Sequence, residues 1–180
     1  MKTPFVRLFA VAVAATALTA RSAGTLEDTV SFGGALSYAG TGISGSELCL
    51  DLHGGCYVVD SGFVGGGARL LDNDYATTWE LAAEGRFHFL DPWLTDRGGA
   101  LADFSPYVAL RLGFGSGETK PEDDKGAIAA LRIGTDFFIT ENIAVDLFVD
   151  AATATGDIYP DKVEMKSSDV RVQLGIDLFF

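Results

Sequence analysis

Residues 170–180 place Val170, Val172, Leu174, Ile176, Leu178 and Phe180 in one unbroken apolar row, with Arg171, Gln173, Gly175 and Asp177 between them. Side chains alternate faces along a β-strand, so the segment carries a greasy face and a polar face over its whole length. A strand of about ten residues tilted near 45° crosses the hydrocarbon layer of a bilayer. Phe180 then falls at the depth where interfacial aromatics gather.

The same alternation recurs upstream. Over residues 143–151, Ile143, Val145, Leu147, Val149 and Ala151 share one face, and Ala144, Asp146, Phe148 and Asp150 share the other. Residues 127–137 set Ala127, Ala129, Leu131, Ile133 and Phe137 against Arg132, Gly134 and Asp136. The polar stretch Thr140-Glu141-Asn142 between these two segments reads as a tight turn. Residues 104–115 set Phe104, Val108, Leu110, Leu112 and Phe114 against Tyr107, Ala109, Arg111 and Gly113. Residues 78–89 set Trp79, Leu81, Ala83, Phe87 and Phe89 against Glu80, Glu84, Arg86 and His88.

The N-terminal third is less regular. Val30, Phe32, Leu36 and Tyr38 are in phase over residues 28–38, and Leu48, Leu50 and Leu52 over residues 47–52. Residues 57–71 contain Gly62, Gly65, Gly66 and Gly67, which blur the pattern. Counted together, these segments predict an all-β fold, an eight-stranded antiparallel up-and-down barrel that spans a membrane. An even strand count puts both termini on the periplasmic side. Residues 39–46, 72–77, 116–126 and 154–167 become external loops, and residues 53–56, 91–103 and 139–142 become periplasmic turns. The stretch 91–103 is long for such a turn.

Targeting and charge agree with a membrane barrel. Lys2 and Arg7 precede an apolar run over residues 8–18, and small residues follow at Ala20 and Ala23. That is the anatomy of a secretory signal peptide, cut after Ala20 or Ala23, with the barrel occupying residues 24–180. Losing Lys2, Arg7 and Arg21 with that segment takes the net charge from −12 to −15. So acidic a chain is a poor partner for nucleic acid, which demands clustered Lys and Arg. Hydrophobic residues make up 48% of the chain, yet no apolar run is long enough for a spanning helix.

The strand "SPYVALRLGFG", the hairpin "IGTDFFITENIAVDLFV" and the terminal "VQLGIDLFF" resemble small outer-membrane β-barrel proteins of the OmpX, OmpW and OmpA-transmembrane types. The resemblance covers residues 77–180 well and residues 28–76 loosely. It implies residence in the outer membrane of a Gram-negative bacterium, among its lipids and lipopolysaccharide. It also implies that Leu174, Ile176, Leu178 and Phe180 form the signal read by the barrel-assembly machinery. A monomer without cofactor or metal is expected.

The face opposite the apolar rows carries Glu80, Glu84, Arg86, His88, Arg111, Arg132, Asp136, Asp146, Asp150, Arg171, Gln173 and Asp177. Eight strands leave an interior only wide enough for side chains, and buried charges must pair. Glu80, Glu84, Arg86, Arg111, Arg132, Asp136, Asp146, Asp150, Arg171 and Asp177 are therefore expected to form a salt-bridged, non-conducting plug. Cys49 and Cys56 are the two cysteines, and an oxidising compartment favours a disulfide between them near the join of strands two and three. His53 in a glycine-flanked turn gives the alternative, a Cys-x3-His-x2-Cys zinc site short of one ligand.

An enzyme on this scaffold, resembling the lipid A deacylases and palmitoyl transferases, would need a nucleophile beside a base. The two histidines are His53 and His88, and no serine lies in phase with His88 on its own strand. Glu118, Glu122, Asp123 and Asp124, with Asp72 and Asp74, make acidic external loops, either solvated or holding cations that bridge lipopolysaccharide phosphates. The role expected is structural or surface-interacting. The alternatives are an outer-membrane lipid-modifying enzyme and, more remotely, a secreted soluble barrel with an apolar ligand cavity.

Overall fold

A strand in lipid must satisfy every backbone N–H and C=O internally, and closure is the way a sheet does so. The chain, seen in a computed structural model that describes residues 29–41, 45–59, 61–89, 104–119, 123–140, 142–161 and 164–180, closes in this way. The strands are β1 (Val30–Thr41), β2 (Gly45–Val59), β3 (Gly62–Asp72), β4 (Ala76–His88) and β5 (Phe104–Thr119). They continue with β6 (Asp123–Thr140), β7 (Ile143–Ala154), β8 (Tyr159–Asp161), β9 (Glu164–Lys166) and β10 (Ser168–Phe179). Strands β1 to β7 pair antiparallel with their neighbours in sequence, and β10 fills the gap between β7 and β1 to make an eight-stranded barrel. Strands β8 and β9 form a separate two-stranded sheet in the β7–β10 connection.

The closing seam is registered from Ser31 opposite Phe179 to Leu36 opposite Leu174. Its lower end is locked by reciprocal bonds, Val30 N to Phe180 O at 3.1 Å and Phe180 N to Val30 O at 2.8 Å. Asn142 in the β6–β7 turn ties in as well: Phe179 N donates to its carbonyl at 2.9 Å, and its Nδ2 donates to Phe179 O at 2.8 Å. Both chain termini of the barrel, the β2–β3 turn and the β6–β7 turn thus share one end, here the termini end. The opposite end, the loop end, carries the β1–β2, β3–β4, β5–β6 and β7–β10 connections.

The polarity of the wall is that of a membrane barrel. Outward side chains include Leu36, Val64, Leu81, Leu110, Leu131, Ile133, Val149, Val172 and Leu174, all exposed. Inward positions carry the charges. In β4 the alternation of buried and exposed residues is unbroken from Thr78 to His88. A soluble barrel with a greasy interior would show the reverse, so that reading is overturned. Leu178 also faces outward but is nearly covered, lining a groove of the outer wall with Phe32, Leu174 and Ile176.

The sequence misplaces several boundaries in the N-terminal half. Residues 53–56, expected as a turn, lie within β2, which runs on to Val59 before β3 begins at Gly62. Strands β5 and β6 extend into the stretch 116–126, so Glu118, Asp123 and Asp124 stand on strands. The predicted loop 154–167 contains the β8–β9 hairpin. The signal segment 1–23, the stretch 91–103 and Glu122 lie outside the described residues.

Candidate functional site

The lumen is stacked in four tiers. At the termini end, Tyr57, Phe63, Phe138, Ala144 and Phe179 form a buried apolar cluster, with ring centroids 5.4 Å apart for Tyr57–Phe63 and 5.0 Å for Phe138–Phe179. Phe63 lies flat over missing side chains: a Cβ at Gly55 or Gly65 would come within 2.7 or 2.6 Å of its Cζ. At the loop end, Cys49, Leu71, Ile128, Ala130 and Ala152 are covered by Ile158 and Tyr159, which fold in from the β7–β10 connection. Thr78 Oγ1 donates to the Ile158 carbonyl and pins that connection. Burial pushes the Tyr159 phenol well up from its usual range.

Between these apolar tiers lie two charged ones. In the tier nearer the loop end, Asp150 Oδ2 accepts from Arg69 Nη2 at 2.6 Å, Arg111 Nη1 at 2.8 Å and Arg132 Nε at 3.2 Å. Asp51 Oδ2 accepts from Arg132 Nη2 at 2.7 Å and Arg69 Nη2 at 3.1 Å. Glu80 bridges Arg111 at 3.3 Å and Arg69 at 3.7 Å. The Arg132 guanidinium stacks over Phe148, its central carbon 3.9 Å from the ring centroid.

In the tier nearer the termini, Arg86 binds Glu84 at 3.1 Å and Asp177 at 3.0 Å and approaches Asp136 at 3.8 Å. Its guanidinium sits over the Tyr107 ring at 4.3 Å. Tyr107 OH donates to both Asp146 oxygens, at 2.9 and 3.0 Å. His53 Nε2 lies 2.9 Å from Asp177 Oδ1, and its Nδ1 lies 3.4 Å from Asp51 Oδ1. Glu84 joins the tiers through Arg132 at 3.4 Å.

Of the residues singled out from sequence, Glu80, Glu84, Arg86, Arg111, Arg132, Asp136, Asp146, Asp150 and Asp177 are buried and lie in these two tiers. Arg171 is brought elsewhere, to Glu47 and Asp169 near the loop end. The sequence reading misses Asp51, His53 and Arg69, which complete the network from β2 and β3. Continuing the phase of Leu48, Leu50 and Leu52 would have put Asp51 and His53 inward. The glycine neighbours of His53 suggested a turn instead.

The cysteines require a correction. Both are free, Cys49 buried in the lumen and Cys56 exposed on the outer wall. An odd separation along one strand puts them on opposite faces, roughly 20 Å apart at ~3.3 Å per residue, so they form neither a disulfide nor a zinc site with His53.

Catalytic geometry is poor. Ser105 on β5 does reach His88, with Oγ 2.9 Å from Nδ1, a contact the phase of β4 alone could not reveal. The other ring nitrogen is shared with Tyr57 OH at 2.9 Å, and Asp136 stands off at 3.9 Å. Ser105 and His88 are fully buried under the aromatic tier. On the rim, Asp124 accepts from the backbone of Lys125 and of Asp157, both at 2.8 Å, and Asp72 accepts from Thr77 Oγ1 at 2.7 Å. These carboxylates hold loops in place.

Closed antiparallel barrels of eight strands with an apolar wall and a charged lumen are the small outer-membrane barrels, and this chain has that fold. Among solved structures it is similar to neisserial surface protein A, at 13% identity and a TM-score of 0.59, over 84% of this chain and 96% of that one. Ail, the attachment invasion locus protein of Yersinia pestis, aligns at 14% identity and a TM-score of 0.48, over 86% of this chain and 99% of that one. No family model matches the chain, and no curated protein matches it in sequence.

Proposed function

We propose that the protein is an integral outer-membrane barrel of a Gram-negative bacterium with a non-conducting lumen, acting through its external face in a structural or surface-interacting role. The observation that carries this is the inverted polarity of the wall: Leu131, Ile133, Val172 and Leu174 face out while Arg132, Asp150 and Asp177 are buried within. Only a lipid environment makes that arrangement favourable. The name of the neisserial surface protein, whose fold this chain shares, fits the same location. Residues 1–23 serve as the signal peptide and the barrel works as a monomer.

The termini end then lies in the periplasm and the acidic rim, with Glu118, Asp123 and Asp124, faces lipopolysaccharide. The terminal row Leu174, Ile176, Leu178 and Phe180 guides insertion by the assembly machinery, since an amphipathic strand with unpaired N–H and C=O groups is a template for pairing. Arg at position 174 would sit near the bilayer centre at a cost of about 2–4 kcal/mol. Heat-modifiable migration of the protein from outer-membrane fractions tests the reading. The wild type should shift on heating, and Leu174→Arg and deletion of Phe180 should each deplete the shifting form. Normal amounts from both variants would contradict it. The enzyme alternative has the Ser105–His88 contact in its favour and a buried nucleophile against it.

A further inference from the structure

The tier nearer the termini is short of positive charge. Arg86 stands there against Glu84, Asp136, Asp146 and Asp177, each at most 3% exposed. The other interior guanidiniums, Arg69, Arg111 and Arg132, are matched by Asp51, Glu80 and Asp150. Asp136 and Asp146 are direct cross-strand neighbours on β6 and β7, so two carboxylates meet face to face. Neither Asp136 oxygen accepts a hydrogen bond, although the residue is fully buried. Uncompensated buried carboxylates are costly, and protons or a cation must offset them.

The side chains beside Asp136 have the form of a metal cradle. His53, Asp146 and Asp177 each bring a ligand atom within 4.8 Å of the others. A tetrahedral zinc ion with ligands at 2.0–2.1 Å holds them about 3.3 Å apart. His53 Nε2 and Asp177 Oδ1 are already at 2.9 Å, which leaves Asp146 to draw in. Each ligand also has an outer partner. Asp51 faces the far nitrogen of His53, Tyr107 OH donates to Asp146, and Arg86 Nη1 donates to Asp177 Oδ2. Such outer partners orient metal ligands and fix the histidine tautomer. The backbone makes room: a Cβ on Gly33 would fall 1.8 Å from Asp177 Oδ1 and 2.5 Å from His53 Nε2.

We propose that this tier binds one divalent transition-metal ion of the zinc class, ligated by His53 Nε2 and the carboxylates of Asp146 and Asp177, with Asp136 facing it from β6. Mixed imidazole and carboxylate ligands suit zinc better than calcium or magnesium, which take oxygen alone. The ion's two charges with that of Arg86 nearly match the four carboxylates. It enters during folding, before Tyr57, Phe63, Phe138 and Phe179 close the termini end.

Elemental analysis of the full barrel, purified from outer membranes without chelator, tests this. About one zinc per chain is expected, together with a higher unfolding midpoint after refolding in Zn2+ than in EDTA. Asp146→Asn preserves shape and relieves repulsion, so it should fold, yet hold zinc at least about tenfold more weakly. His53→Gln should do the same, and Glu80→Gln in the balanced tier should keep full occupancy. A metal-free barrel whose midpoint ignores Zn2+ would overturn the proposal in favour of protons as the compensating charge. Zinc retained in full by both Asp146→Asn and His53→Gln would overturn it too, and place the metal on the acidic rim.

Discussion

Toward the loop end of the lumen, three guanidiniums from β3, β5 and β6 face three carboxylates from β2, β4 and β7. Toward the termini, one guanidinium on β4 faces four carboxylates from β4, β6, β7 and β10. In the first tier the opposite charges are equal in number, and Asp150 Oδ2 alone accepts from three arginines. In the second, Asp136 is left without a hydrogen bond. Both tiers are equally buried, so exposure does not explain the difference. The contrast teaches that one lumen serves two purposes. A balanced network cross-braces six strands, β2 to β7, while a carboxylate excess stores repulsion that only a cation or protons relieve.

The largest effect should come from the residue on which the unbalanced tier depends. Replacing Arg86 by Leu leaves buried Asp136 and Asp177 without a guanidinium and takes one from Glu84, at the upper end of the 3–5 kcal/mol typical of a broken buried pair. Urea unfolding in lipid vesicles measures this, and a loss below about 1 kcal/mol would erase the distinction between the tiers. The sharper comparison is between two aspartates changed identically. Asp150→Asn should cost about 3 kcal/mol, because Arg69, Arg111 and Arg132 all lose their shared acceptor. Asp136→Asn should be stabilising, on the order of 1 kcal/mol, because it removes a buried charge that accepts no hydrogen bond and meets Arg86 only at 3.8 Å. Equal losses from both would show that the tiers do not differ. The smallest effect belongs to the outer wall, where Cys56→Ser should stay within about 0.5 kcal/mol. Thiol labelling of denatured, unreduced protein should find both cysteines reactive.

Strands β4 to β7 and β10 were legible because their outward side chains are large and their inward ones charged, so the period of two is written in chemistry as well as spacing. Strands β2 and β3 were not, for a reason visible in the lumen. Gly55 and Gly65 lie under the Phe63 ring, and a side chain at either would strike it. Packing that needs glycine removes the side chains that reveal a strand, and with β2 and β3 went Asp51, His53 and Arg69. The cysteine pairing failed in the same place: it rests on the oxidising compartment alone, and with residues 53–56 inside β2 the two thiols lie on opposite faces of one strand. The imbalance between tiers lay beyond the sequence altogether, because it depends on which charges the barrel brings to the same height.

Current through single barrels in a planar bilayer tests the plugged lumen most directly. Two charged tiers lie between the Tyr57–Phe179 cluster and the Ile158–Tyr159 cap, so buried side chains occupy the bore from end to end among the described residues. The folded wild-type protein should therefore insert without any steady conductance, whatever the salt or holding potential. A steady open-channel current from heat-modifiable, monomeric barrel would contradict the account.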